Sequence, residues 1–259
     1  MKAATTTVRL AAAALLFALT PAHAAEPVFK SASDYGTDLK SYVLAPFHLD
    51  REDLRWAGTA VAATALAYAL DNTVRAKPPT PGAAAQRSTE LRDALPLIAL
   101  TAGTFAAGEL RHDTALAGTG TDMAEAALLS VLGANVLKLA TGRLRPDEAL
   151  DRGKWRQGGR SFPSDHVAAI FAAAQVLSDR LPVEKQALRW TAFGLAGATA
   201  LARIQGNNHW LSDTVAGAAL GMATGRFVSG RRLDSFHNLQ VGLAPGHSGV
   251  TLVFSARYN

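Results

Sequence analysis

Three clusters in this 259-residue chain combine residue types and spacings that can do chemistry. The first is Lys138-Leu-Ala-Thr-Gly-Arg-Leu-Arg145-Pro146. Its two outer cations are about two helical turns apart, a spacing that would set them on one helix face, with Pro146 marking the helix end. The second, Ser161-Phe-Pro163-Ser164-Asp165-His166, runs straight into an apolar stretch. Ser164 or Asp165 can cap a helix there, and the free N–H groups of its first turn make a natural anion site. The third is Arg203, His209 and Asp213, of which the last two are i,i+4 neighbours on a helix surface.

Together these parts suit phosphoryl transfer. Lys138, Arg145 and Arg203 can hold three phosphoryl oxygens and stabilise the charge of the transition state. A histidine attacks phosphorus when a carboxylate orients its ring, and Asp213 is placed to do this for His209. His166 can protonate the leaving oxygen. The cationic side chains supply the positive charge a metal would bring, so no metal or other cofactor is expected. Taken singly, each residue has a plainer reading. A cation at a helix end usually complements the dipole, Pro-Ser-Asp before an apolar run is an ordinary helix start, and His-x3-Asp is a surface pair or half a metal site. The joint order and spacing carry the functional reading.

The same residues resemble the type 2 phosphatidic acid phosphatase and vanadium haloperoxidase superfamily. Its signature is K-x6-R-P, then P-S-G-H, then S-R-x5-H-x3-D. Here it reads Lys138…Arg145-Pro146, Pro163-Ser164-Asp165-His166 and Ala202-Arg203…His209…Asp213, covering 138–213. The resemblance implies that Lys138, Arg145, Arg203 and Ser164 bind phosphate. It also implies that His209 becomes a phosphohistidine, that Asp213 orients it, and that His166 is the general acid. Two positions depart from the signature: Asp165 replaces Gly and Ala202 replaces Ser. The P-S-D-H variant looks like that of the branch that hydrolyses undecaprenyl pyrophosphate, which makes Asp165 a specificity candidate. It is either a helix cap or, as favoured here, a pocket residue that repels a monoester and accepts a bond from His166.

The elements that must position these residues are legible in the composition. Apolar residues make up 49% and charged ones 18%, below the ~25% charge of typical soluble chains, so the chain is not disordered in the main. With no Cys there is no disulfide, thiol nucleophile or Cys-based zinc site. Six apolar stretches, at 56–70, 94–108, 126–137, 167–178, 190–202 and 214–225, are rich in Ala, Leu and Gly and predict six helices. Asp122 and Glu125 are expected to cap the third. Alternation around 239–243 and 250–254 predicts a β-hairpin at the C-terminus. The expected fold is therefore all-α: a six-helix bundle of the phosphatidic acid phosphatase type 2 kind, membrane-embedded, with a short C-terminal β-hairpin. The uncharged runs are shorter than the ~20 residues of a spanning helix, but small residues such as Gly194, Ala198, Gly217 and Gly221 would let helices approach closely as they do in membranes. Trp190 and Trp210 are read as interface anchors or as core.

The expected organisation is a signal peptide at 1–24, an amphipathic lead-in at 25–50, a helical phosphatase domain at 51–232 and a hairpin tail at 233–259. The leader reading rests on basic Lys2 and Arg9, an apolar core and an Ala22-His23-Ala24 cleavage site. Its removal takes away two cations and no acid, lowering the net charge from +5 to +3; the excess is weak evidence for nucleic acid and suits an anionic substrate or a lipid surface equally well. The expected setting is the bacterial cell envelope, membrane-associated and on the periplasmic side. The substrate would be a lipid phosphate or prenyl pyrophosphate, with an envelope partner for the tail. Three alternatives stand beside this reading: a soluble periplasmic acid phosphatase of broad specificity, a vanadate-dependent haloperoxidase, and a non-catalytic envelope protein.

Overall fold

A computed structural model describes residues 29–75, 90–230, 239–246 and 249–256. The expected leader at 1–24 lies outside the described residues. Seven α-helices are described: α1 Ala32–Leu44, α2 Arg51–Val74, α3 Glu90–Arg111, α4 Thr114–Thr141, α5 Asp165–Arg180, α6 Gln186–Gln205 and α7 Leu211–Ser229. Single 3-10 turns at Ala45–Phe47 and Val183–Lys185 follow α1 and precede α6.

The expectation of a six-helix bundle completed by a C-terminal hairpin is therefore corrected: among the described residues the body of the fold is helical, with seven α-helices. The additional helix is the lead-in, where Ser31 and Asp34 form a reciprocal capping box that starts α1. Lys30 ties that start to α4 through Glu125, at 2.8 Å. In the tail, Leu239–Gly246 and Gly249–Ala256 pair only with each other as strands. Apart from that strand pair, the close packing that makes up the fold is between helices.

Two boundaries also differ from expectation. Helix α4 begins well before Asp122 and is capped by Asp113, whose carboxylate accepts from the Leu116 N–H. Asp122 and Glu125 lie mid-helix and pair with Arg180 and Lys30 instead. At its other end α4 stops at Gly142, which adopts a left-handed φ of 55° and returns its N–H to the Lys138 carbonyl. The helix thus ends before Arg145, and Lys138 and Arg145 do not share a helix face.

The seam that matters most joins α5 and α7. A Cβ on Gly217, Gly221 or Gly225 would meet the carbonyl oxygens of Ser164, Ala168 and Ala172 at 2.5, 2.2 and 2.6 Å respectively. Only glycine permits this approach. The partners advance in the same direction along both helices, so α5 and α7 run parallel and begin at the same end. There the Ser164 N–H bonds to the Asp213 carbonyl at 2.9 Å. Gly194 and Ala198, in contrast, are exposed. The core around this seam is built from Met123, Ala126, Ile170, Val176 and a run of alanines. Trp210 belongs to the buried interior, whereas Trp190 is exposed.

Candidate active site

The parallel start of α5 and α7 sets the site. Ser164 occupies the N-cap position of α5, fully buried, and its hydroxyl makes no capping bond. Asp165 and His166 form the first turn. Arg203 lies in the last turn of α6. The short connection to α7 folds back upon it, so the N–H groups of Asn208 and His209 both donate to the Arg203 carbonyl. The five-residue gap between Arg203 and His209 is the length of that fold-back. Asp213, three residues into α7, accepts the Trp210 N–H at 2.9 Å and so helps to start the helix it belongs to.

His209 is completely buried. Its Nδ1 lies 2.8 Å from the Ser161 carbonyl, which can only accept, so the proton sits on Nδ1. That leaves the lone pair on Nε2. Nε2 is buried without a hydrogen-bond partner, and so is the Ser164 hydroxyl. Buried polar atoms are rarely left so, and here both lie at the common start of two helices, among cations. Burial pushes the His209 ring down to about 4 against the pull of Asp213, and the nearby charges of Lys138 and Arg203 add to the depression. The ring is therefore neutral, with a free lone pair, across the neutral pH range.

Sequence spacing suggested that Asp213 itself takes the His209 proton. The immediate acceptor is the Ser161 carbonyl, and Asp213 Oδ2 lies further off, 3.8 Å from Nδ1. Asp213 is held in turn by the Ser161 hydroxyl and by Arg143 Nη1, at 2.5 Å from the latter.

Lys138 is 2% exposed and its ammonium meets Asp165 at 3.1 Å. Asp165 Oδ1 also accepts from the His166 backbone N–H at 3.1 Å and stands 3.2 Å from His166 Nδ1. Asp165 thus faces the site's cation and its second histidine. Arg145 sits in the loop after α4, near enough for its charge to bear on Lys138, and so does Arg160. Arg75, at the end of α2, fixes that loop by donating to the carbonyls of Pro146, Ala149 and Leu150.

Several residues of the site carried no signal in their spacing. Arg143 is buried between Trp155, Tyr68 and Trp210, with its guanidinium 4.5–5.3 Å from the three ring centroids. It links Asp213 to Asp71 of α2, which in turn accepts from both the N–H and the hydroxyl of Ser212. Arg143 lies inside the Gly-Arg-Leu-Arg run and Asp71 directly follows an apolar stretch. Each could be singled out on those grounds, but nothing in the sequence pairs them.

Comparison with known proteins follows the same residues. The family model described as the PAP2 superfamily matches residues 119–234. Over 91 residues the chain is 33% identical to a Porphyromonas gingivalis protein named lipid A 1-phosphatase, covering 35% of this chain. The chain spans 19% of that relative's length. No solved structure matches significantly.

Proposed function

The chain belongs to the PAP2 superfamily through residues 119–234, and from that premise we propose that it is a phosphatase acting on a lipid phosphate or pyrophosphate through a phosphohistidine at His209. One observation carries the reading: the His209 Nε2 lone pair is buried and unpartnered while Nδ1 is tied to the Ser161 carbonyl. A neutral imidazole fixed by one nitrogen and open at the other is the arrangement a nucleophile needs.

In this mechanism Lys138, Arg145 and Arg203 neutralise the phosphoryl oxygens. The Ser164 hydroxyl and the free N–H groups at the start of α5 bond to them. His209 Nε2 forms the bond to phosphorus as the leaving oxygen departs, and His166 gives that oxygen its proton. The Nδ1 proton stays on the ring and points at Ser161, while the Asp213 carboxylate stabilises the positive charge the ring acquires. Water then attacks the phosphohistidine, His166 takes its proton, and His209 is released with inorganic phosphate.

The lipid character of the substrate has separate support. Leu128, Leu132, Val136 and Leu139 form an exposed apolar stripe along α4, at 43–76% exposure. Val61, Leu66, Leu110 and Trp190 expose further apolar surface on α2, α3 and α6. Apolar surface of this kind marks a membrane or protein contact. Helix α4 is, among the described residues, the one long and apolar enough to cross a membrane. A relative named for lipid A points the same way. We place the protein in the bacterial cell envelope, membrane-associated, with the site on the periplasmic side as the leader-like segment suggests.

The test is phosphate release from phosphatidate, phosphatidylglycerophosphate, undecaprenyl pyrophosphate, lipid A and p-nitrophenyl phosphate, with and without detergent. A lipid is expected to be turned over at least tenfold better than p-nitrophenyl phosphate. Activity is expected to survive EDTA and to fall with vanadate. Loss on chelation, restored by Mg²⁺ or Zn²⁺, overturns the mechanism.

A further inference from the structure

Asp71 lies on α2, outside the segment that the family model matches. It is 1% exposed and carries no contact to the phosphate-binding residues, yet it completes the cluster behind the nucleophile. Its Oδ2 accepts from Arg143 Nη2 at 2.7 Å and from the Ser212 hydroxyl at 2.6 Å, and its Oδ1 accepts from the Ser212 N–H at 2.8 Å. Arg143 spends its other terminal nitrogen on Asp213 and Ser212. The side chains of Arg143, Asp71 and Asp213 are all 0% exposed.

The charge count of this cluster has a consequence. Arg143 and Asp213 alone would form a neutral pair, and the carboxylate beside His209 would have little field left when the ring becomes cationic. With Asp71 on the far side of the guanidinium, the buried cluster holds two carboxylates and one cation. One net negative charge remains, in a region where it is weakly screened.

We propose that Asp71 is a positioning residue for the nucleophile. By sharing Arg143, it keeps net negative charge at Asp213 and so stabilises the His209 ring as it becomes phosphorylated, while its bonds to Ser212 fix the first turn of α7. The inference rests on His209 being the nucleophile. The other charges that bear on this ring are Lys138 from α4, Asp165 from α5 and Arg203 from α6. None of the three bonds to Asp71, whose partners are Arg143 and Ser212, and the two further cations by the cluster, Arg75 against Trp210 and Arg152 against Tyr68, likewise keep their charge when Asp71 is changed.

The experiment compares Asp71→Asn and Asp71→Glu with the wild-type full chain in detergent, using the best substrate of the panel. Asp71→Asn neutralises the carboxylate with little change of shape. It is expected to lower kcat on the order of 10–100-fold, the usual cost of losing a buried partner behind a functional residue. KM and the inhibition constant of vanadate are expected to stay within about twofold. The acid limb of the pH–rate profile should move to lower pH, because a ring facing less negative charge protonates later. Asp71→Glu keeps the charge, so its acid limb should stay at the wild-type position. Loss of fold alone cannot move the limb and spare vanadate binding in this way.

An unmoved limb in Asp71→Asn, or a limb moved equally in both variants, overturns the proposal. If Asp71→Asn does not fold, Ser212→Ala decides, since it removes a neutral donor to Asp71 and leaves every charge in place. Its limb is expected at the wild-type position, and a shifted one overturns the charge argument. Trapping ³²P on the wild-type protein separates this inference from its premise. Label absent from His209 sinks the nucleophile assignment, whereas label on His209 with an Asp71→Asn variant that phosphorylates at the wild-type rate sinks only the role of Asp71.

Discussion

The Lys138 ammonium and the Asp165 carboxylate meet at 3.1 Å between α4 and α5, so one of the three cations proposed to bind phosphate already has an anionic partner. A dianionic monoester must compete with that carboxylate for Lys138. A pyrophosphate can satisfy the remaining cations with one phosphoryl group while its second lies further from Asp165. Replacing Asp165 with Gly, the residue the resembling family carries there, frees Lys138. We expect the kcat/KM ratio of monoester to pyrophosphate to rise about tenfold, the equivalent of ~1.4 kcal/mol. An unchanged ratio with only a lower melting temperature would leave Asp165 a helix-start residue and nothing more.

His209 gives a pH signature. Its ring, lowered to about 4 in the folded protein from an ordinary 6.5, is neutral well into the acid range and so keeps the lone pair that the proposed nucleophile needs. The acid limb of kcat/KM for the free enzyme is therefore expected near pH 4 rather than pH 6.5, on a substrate whose own ionisation lies outside that interval.

The same shift affects stability, with a definite sign. The unfolded chain takes up a proton at His209 near 6.5 and the folded protein only near 4. Stability from this group is thus complete above about pH 6.5, falls as the pH drops to 4, and levels off below. The span corresponds to about 3 kcal/mol. Thermal unfolding in detergent across this range should show the step, and His209→Gln should flatten it while abolishing turnover.

At the α5–α7 seam, a single methyl should be costly. A Cβ at position 221 would stand 2.2 Å from the Ala168 carbonyl, so Gly221→Ala must push the helices apart. We expect a loss of about 1–3 kcal/mol together with a fall in kcat, because both helix starts carry site residues. Gly194→Ala, on the exposed side of α6 with open space around it, is the control: it should leave kcat unchanged and raise stability by about 0.5–1 kcal/mol, the ordinary gain of Ala over Gly within a helix.

Arg75 offers a fifth test. It holds the loop that bears Arg145 through three backbone carbonyls. Arg75→Ala is expected to raise KM by about tenfold while changing kcat less, since the role proposed for the loop's cation is to bind phosphate and not to transfer a proton. A variant with wild-type KM would show that Arg145 is positioned by other means.

That Arg203, His209, Ser164 and His166 come together was legible in the sequence because their spacing follows backbone geometry. Arg203 and His209 are joined by a fold-back of fixed length, and Ser164 to His166 form one helix start. What the sequence hid was reached through space. Asp71 finds Arg143 and Ser212 across helices far apart in the chain, and a carboxylate after an apolar run looks the same whether it faces water or a buried guanidinium. The acceptor for His209 Nδ1 is a backbone carbonyl, which leaves no trace in residue identity. Pro146 looked like the end of α4, yet Gly142 had already ended it by turning left-handed. The seventh helix was marked by Ser31-x-x-Asp34, a capping signal that competes poorly for attention with longer apolar runs.

Three glycines pressed against three carbonyls leave the paired helices no slack. The starts of α5 and α7 therefore act as a rigid jig, and headgroups of different size cannot be accommodated by spreading it. In the proposed reading, adjustment comes from the loop between Gly142 and Ser164, which carries Arg145 and is fastened by Arg75. Diversification of substrate range in relatives that share this seam should accordingly be written in that loop, and a library confined to residues 144–160 is the economical place to alter which phosphate this scaffold accepts.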